Sequence, residues 1–201
     1  MDFEGIKNFL LDIIETVVIA LSIFVVIYLL AFQPHEIKGQ SMDGIAGFHD
    51  GQYLLTDKLT YRFREPERGE VIVFKYPLNE SVDYIKRVIA IPGDKIMLKD
   101  NKIYLYTDEC PEGVIVNESA YIAPTVQTNP KTFLKEGVLV RVPEDNYFVM
   151  GDNREHSSDS RAWGFVERDE IIGRSLFRYW PPNEIGLIDH PQTIPEKCMS
   201  S

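Results

Sequence analysis

Apolar positions fall into two regimes along the chain. From Phe9 to Phe32 they are nearly continuous: Thr16 to Phe32 reads TVVIALSIFVVIYLLAF without a charge, and Asp12 and Glu15 lie early in the stretch. Crossing about 30 Å of hydrocarbon takes about 20 apolar residues in a helix, so the stretch suffices if the two acids sit near the headgroups. A soluble core helix apolar on every face would need burial all round, which a domain this small hardly supplies. A cleaved leader is the other alternative. MDFEGIKN, however, lacks a basic n-region, the apolar run is long for an h-region, and no A-x-A site follows it. The expectation is an uncleaved transmembrane anchor over 9–32, after a short tail over 1–8. Lys7 and Lys38 flank it on opposite sides, so positive charge barely discriminates its orientation.

After Phe32 the apolar runs shorten. Gln52–Leu55, Glu70–Tyr76, Asp83–Ile91, Lys95–Leu98, Lys102–Tyr106, Gly137–Val142, Tyr147–Met150 and Ile171–Tyr179 read as strands. Turn signals such as Asp50-Gly51, Arg68-Gly69, Pro92-Gly93-Asp94 and Asp100-Asn101 separate them. This spacing predicts a mainly β fold, an antiparallel β-domain of sandwich or barrel-like form over 33–180. Thr56–Arg64 and Glu167–Ile171 have room for a helical turn or two. Asp108–Glu136, interrupted by Pro111, Pro124 and Pro130, is predicted to be a loop-rich insertion, and the Pro-rich stretch 181–201 a flexible tail.

Composition narrows the picture. A length of 201 residues fits one compact domain plus an appendage, and 44% hydrophobic with 26% charged residues is a globular balance rather than a disordered one. The net charge of -10 argues against nucleic acid as a partner, because phosphate binding needs a Lys/Arg-rich face. Cys110 and Cys198 form no C-x-x-C pair, which leaves a zinc or thioredoxin-like site without support. One disulfide outside the cell is possible in principle. With Cys198 in a predicted mobile tail, two free thiols are expected.

Chemistry concentrates in three segments. There is no G-x-S-x-G elbow, no H-E-x-x-H and no P-loop. His35, His49, His156 and His190 are scattered among predicted loops without metal-ligand spacing, so neither a metal, a cofactor nor a Ser-His-Asp triad is expected. Gly39-Gln40-Ser41-Met42 follows the anchor; a lone Ser in such a loop is ordinarily a turn residue unless a base accompanies it. Tyr84-Ile85-Lys86-Arg87-Val88 places two cations inside an apolar strand, where burial is costly. Period-2 alternation sends Lys86 to one face and Arg87 to the other. The bland alternative is an edge strand whose cations snorkel to water. Gly151 to Arg161, GDNREHSSDSR, follows an apolar strand with enough donors and acceptors either to be a solvated loop or to lock one loop shape.

Together these segments resemble the type I signal peptidases. Gly39, Ser41 and Met42 match the family's nucleophile motif. Lys86-Arg87 with Pro92-Gly93-Asp94 matches its base motif, and Gly151-Asp152-Asn153, Ser157, Asp159-Ser160-Arg161 and Trp163-Gly164 match its late motif. The family's Pro-Thr-Leu after Ser-Met is replaced here by Asp43-Gly44-Ile45-Ala46, in a stretch about two residues longer.

The resemblance implies a membrane-bound serine endopeptidase that cuts signal peptides from secretory preproteins on the extracytoplasmic side of the cell membrane, touching membrane lipid and using no cofactor. It implies Ser41 as nucleophile, Lys86 as general base and Ser157 as the residue orienting the lysine. The oxyanion would meet the Ser41 backbone N–H and a donor near Gly39. Ile37, Gly39, Met42, Tyr84 and Ile85 would line the substrate cleft, with small substrate residues at the first and third positions before the cut. Arg87 with Asp152, and Asp159 with Arg161, would be structural support.

Two rival functions remain at this level. A self-cleaving repressor of the LexA type uses a similar Ser/Lys pair, but the anchor and the lack of DNA-binding helices oppose it. A non-catalytic, membrane-tethered peptide-binding β-module would explain the altered stretch after Ser41.

Overall fold

The computed structural model describes residues 3–198. It begins with helix α1 (Phe3–Ala31), 29 residues long and lying outside the packed domain, with its apolar side chains exposed. At ~1.5 Å per residue it is longer than the ~30 Å hydrocarbon layer, so length and composition allow it to cross a membrane. It takes in much of the segment expected as a short tail; residues 1–2 lie outside the described residues. Pro34, which cannot continue a helix, stands three residues beyond its last turn, and Phe32 already belongs to a strand.

The rest is antiparallel β, as the sequence pattern requires. The strands are β1 (Phe32–Glu36), β2 (Tyr53–Asp57), β3 (Val71–Tyr76), β4 (Asn79–Ala90), β5 (Lys95–Lys99) and β6 (Lys102–Tyr106). There follow β7 (Val114–Ile115), β8 (Leu139–Arg141), β9 (Asn146–Met150), the one-turn helix α2 (Ser160–Trp163), β10 (Val166–Glu167), β11 (Ile171–Trp180) and β12 (Gly186–Leu187). The larger sheet runs β1-β2-β11-β3-β4-β9-β10 with β12 beside β11, and the smaller runs β7-β6-β5-β8. Single 3-10 turns occupy Thr60–Arg62 and Arg168–Glu170, inside the two stretches expected to hold helical turns.

Strand β4 sets the geometry of the molecule. Its outer half is exposed, whereas Lys86 to Ala90 are buried where it pairs with β3 and β9. On the far side Ile89 and Ala90 join Ile96, Leu98, Ile103 and Leu105 in the core beneath the smaller sheet. On the near side Ile37, Met42, Phe48, Leu54 and Val71 form a separate core under the loop that follows β1.

Three expectations are corrected. Cys110 and Cys198 are not free: they form a disulfide with Cα atoms 5.2 Å apart, tying the 108–136 insertion to the C-terminal stretch. That stretch is not a loose tail over its described part. Ile188, Ile194 and Cys198 are buried, β12 pairs with β11, and His190 accepts the Val71 N–H at Nδ1 while its Nε2 lies 3.0 Å from the Ser175 carbonyl. Its apolar residues are too widely spaced to show a period, which is why they read as a tail. Residues 199–201 lie outside the described residues. Finally, His35 is strand-supported rather than in a loop: β1 forms where the helix stops and pairs His35 with Leu54.

Reducing the Cys110–Cys198 bond, or Cys198→Ser, is expected to lower the thermal midpoint of the detergent-solubilised protein. The bond spans a sequence separation of 88. Closing a loop of that size stabilises by about 4 kcal/mol in the chain-entropy picture. For a chain of this length that corresponds to roughly ten degrees, read by melting with and without reductant.

Candidate active site

Ser41 sits in the loop between β1 and β2, and Lys86 projects from the middle of β4. These strands are not neighbours, yet the curl of the sheet brings the two side chains together, with Lys86 Nζ 2.7 Å from Ser41 Oγ. The amine also donates to the Ile85 carbonyl at 2.7 Å and lies 5.0 Å from the Tyr84 ring centroid. Lys86 is 2% exposed. Burial disfavours its charged form and lowers its pKa to about 8, while the more distant carboxylates of Asp159 and Asp152 hold it from falling further.

The loop that carries Ser41 is held at both ends. Gly39 has φ +87°, a left-handed conformation that costs glycine little, and its N–H donates to Asp50 Oδ1 at 2.6 Å. The Gly39 N–H is therefore already engaged and is not free to meet an oxyanion. Asn153 N–H donates to the Ser41 carbonyl at 3.2 Å, which joins the Ser41 loop to the GDNREHSSDSR segment. Gly151 lies between them: a Cβ added there would sit 2.2 Å from the Ser41 carbonyl oxygen and 2.2 Å from Ser157 Oγ. Only glycine fits.

Ser157 is therefore close to the pair, but no hydrogen bond joins it to Lys86. Its Oγ is buried near the Asp159 carboxylate, which it helps to hold ionised, without a hydrogen bond of good geometry among the described residues. Lys131, from the 108–136 insertion, donates to the Ser157 carbonyl and braces it from behind.

Arg87, next in sequence to Lys86, faces the other way and is fully paired. It makes a bidentate bond to Asp152 (2.9 and 2.7 Å), donates to the Gly69 carbonyl, and stacks 4.2 Å from the Tyr121 ring centroid. Arg161 binds Asp159 in the same bidentate way (2.9 and 2.8 Å), and Asp159 also caps α2. Burial pushes the Asp159 carboxyl up, but Arg161, together with Ser157 and the Gly151 N–H, holds it below the usual carboxylate range. Arg154, which the sequence reading passed over, is as buried as these two; it reaches Thr128 and Glu118 of the insertion and the Gly151 carbonyl. Its only sequence signal was a cation inside a dense polar run.

A cleft of about 340 Å³ opens beside the Ser41/Lys86 pair. Ile37, Gly39, Tyr84 and Ile85 line it, as expected. Met42 does not: it is wholly buried in the core below, because an apolar side chain following Ser41 turns away from the open face. The cleft also takes in His35, Val73 and Asp83, residues that sequence reasoning did not single out. They come from strands that meet only in the folded sheet. Among the described residues, no group of His, Cys, Asp and Glu gathers as metal ligands would.

Removing one partner of a buried ion pair leaves a charge uncompensated. Asp152→Ala is therefore expected to cost about 3–5 kcal/mol of stability. Asp43→Ala, which breaks the half-exposed Asp43–His49 contact, is expected to cost under about 1 kcal/mol. Denaturant unfolding of the two variants side by side checks the contrast.

The family described as signal peptidase, peptidase S26, matches the chain over residues 10–180. A probable signal peptidase I-2 of Synechocystis sp. is 33% identical over 189 residues, covering 90% of this chain and 78% of the relative. Signal peptidase IB of Staphylococcus aureus strain MRSA252 is 34% identical over 193 residues, covering 92% and 97%. A crystal structure of a signal peptidase I from Enterococcus faecalis V583 covers 55% of this chain and 97% of that one, at 27% identity and a TM-score of 0.44.

Proposed function

The chain belongs to the signal peptidase family, peptidase S26, and from that premise we propose that it removes signal peptides from exported preproteins with Ser41 as nucleophile and Lys86 as general base. The observation that carries the proposal is the 2.7 Å contact between Lys86 Nζ and Ser41 Oγ, made by an amine that burial brings to a pKa of about 8. A serine hydroxyl is a weak nucleophile until a base takes its proton. An ordinary lysine, with a pKa near 10.4, is almost wholly charged at neutral pH and cannot take it. Here the pKa lies within about one unit of neutral pH, close to what general-base catalysis requires.

The steps follow from the geometry. A substrate strand lies in the cleft with its scissile carbonyl carbon against Ser41 Oγ. Oγ attacks as its proton passes to the neutral Lys86 amine, and the new oxyanion meets the Ser41 backbone N–H. The Lys86 ammonium returns the proton to the departing amine, leaving an acyl-enzyme and again a neutral lysine. Water then attacks through the same base, releasing the carboxylate. Ser157 packs beside Gly151, next to the Ser41 carbonyl, and supports the loop that carries Ser41. The bidentate pairs of Arg87 with Asp152 and Arg161 with Asp159 hold the GDNREHSSDSR segment against the nucleophile loop.

Membrane attachment follows from α1, which leads into the wall of the cleft with only Phe32 to Pro34 between. An enzyme so tethered meets peptides that are still in the bilayer. Disulfides persist in oxidising compartments, so the Cys110–Cys198 bond favours the extracytoplasmic side for the β-domain.

Ser41→Ala and Lys86→Met are each expected to lower cleavage of a secretory preprotein by on the order of 10⁴-fold, with folding retained by circular dichroism. Full activity in either variant would overturn the roles assigned here. The lysine must be neutral to act. Hence kcat/KM is expected to fall about tenfold per pH unit below about 8 and to level off above it. A break near the ordinary lysine value would mean that the base is not buried in the working enzyme.

A further inference from the structure

The stretch Asp43-Gly44-Ile45-Ala46, where the chain departs from its family's motif, takes no part in the mechanism above, yet it begins just past Ser41-Met42. Two consecutive turns shape it. The Asp43 N–H donates to the Gln40 carbonyl at 3.1 Å, and the Gly47 N–H donates to the Gly44 carbonyl at 3.0 Å. Ile45 stands in the second turn and is 57% exposed. A lone exposed isoleucine is ordinary on a protein surface, but this one shares a groove with other apolar side chains.

The groove measures about 350 Å³ and is separate from the cleft that holds the Ser41/Lys86 pair. Asp43, Gly44 and Ile45 line it from the Ser41 loop, Ile122 and Val126 from the 108–136 insertion, and Asn153 from the GDNREHSSDSR segment. Loop and insertion approach closely at Gly44, where an added Cβ would come within 3.1 Å of the Tyr121 carbonyl oxygen. The insertion side is fixed as well. The Ile122 N–H donates to the Glu118 carbonyl at 2.9 Å, and Arg154 holds both Glu118 and Thr128. The buried Arg154 thereby keeps this wall in place.

Asn153 connects this groove to the catalytic centre. Its N–H meets the Ser41 carbonyl, and its Oδ1 lies 3.2 Å from Nδ1 of His156, which lines the cleft. The cleft follows β4 from Val82 to Lys86; Arg87 then pairs with Met150, and the chain leaving Met150 runs through Gly151 to Asn153. A substrate strand followed in that direction passes from the cleft over Ser41 to the groove. The signal-peptide side lies by β1 and the anchor, so the groove meets residues beyond the cut. Side chains of an extended chain alternate. With the first residue before the cut turned toward the protein, the second residue after it is turned the same way, about 7 Å farther on at the ~3.3 Å rise of a strand.

Resting on the proposed function, we infer that the groove between Ile45 and the insertion takes an aliphatic substrate residue at the second position after the cut, and that Asp43 at its rim disfavours an acidic one. A leucine there covers apolar surface of Ile45, Ile122 and Val126 that otherwise meets water. A glutamine of similar length gives up that gain and must shed water from its amide. Asp43 is half-exposed and holds His49 at 2.9 Å. A second carboxylate beside it is repelled, modestly and in a salt-dependent way because the site is open to solvent.

The test uses the full-length protein in detergent at low salt and preprotein substrates that differ only at the second position after the cut, Leu, Gln or Glu. The wild type is expected to cut the Leu substrate with a kcat/KM about fivefold above the Gln substrate, and the Gln substrate about threefold above the Glu substrate. Ile45→Ser, at an exposed turn position that tolerates substitution, is expected to bring the Leu/Gln ratio close to one and to leave the Gln/Glu ratio as it was. Asp43→Asn is expected to do the reverse. Each ratio is internal to its variant, so a general loss of stability or activity does not move it. A wild-type Leu/Gln ratio near one, or either ratio surviving its own substitution, overturns the inference while leaving the peptidase reading intact. Failure of the wild type to cut any of the three, with the Ser41→Ala variant indistinguishable from it, overturns the peptidase reading and this inference with it.

Discussion

Everything in this molecule turns on one amine kept out of water beside one hydroxyl. A buried lysine carries a large solvation penalty in its charged form, and the 2.7 Å contact with Ser41 Oγ is useful only because that penalty brings the neutral form within reach. The strand that supplies Lys86 sets Tyr84, Ile85 and Val88 beside it. The carboxylates of Asp152 and Asp159 stand nearby, and each is turned instead toward an arginine. Neither is hydrogen-bonded to Lys86, whose amine meets Ser41 Oγ and the Ile85 carbonyl instead.

Neighbouring cations in one strand thus have opposite fates. Arg87 cannot lose its charge, so its burial demands a bidentate carboxylate, a carbonyl and an aromatic face, and it has all three. Lys86 can lose its charge and is given no counter-ion at contact distance. The alternation of a β-strand separates them: one cation faces the cleft, the other the scaffold. The same scaffold, through Asn153 and the space that Gly151 leaves open, positions the backbone of Ser41. Catalytic geometry and structural ion pairing are therefore two faces of a single strand, joined through a single loop.

Much of this was legible in the sequence because it depends on local rules. The apolar run of α1, the period-2 strands and the placement of Lys86 and Arg87 on opposite faces follow from spacing alone. What escaped depends on distant segments meeting. His35 and Asp83 lie in β1 and β4, four steps apart along the sheet path, and nothing near either residue announces the other. The Cys110–Cys198 bond joins an insertion to a stretch whose few apolar residues show no period. Met42 was misplaced for the reverse reason. Its neighbour in sequence faces the cleft, but a residue in a tight loop need not share the direction of the one before it. Arg154 was overlooked because a cation in a polar run looks solvated until the insertion is seen to cover it.

The strand order has a consequence for when the protein becomes a protease. Ser41 and Lys86 belong to the first half of the chain, but β2 and β3, the strands flanking them, are joined into one sheet through β11. During vectorial synthesis both reactive residues emerge long before the strand that unites them. The nascent polypeptide is therefore latent by topology, and hydrolytic competence arrives late, as a step in its own maturation.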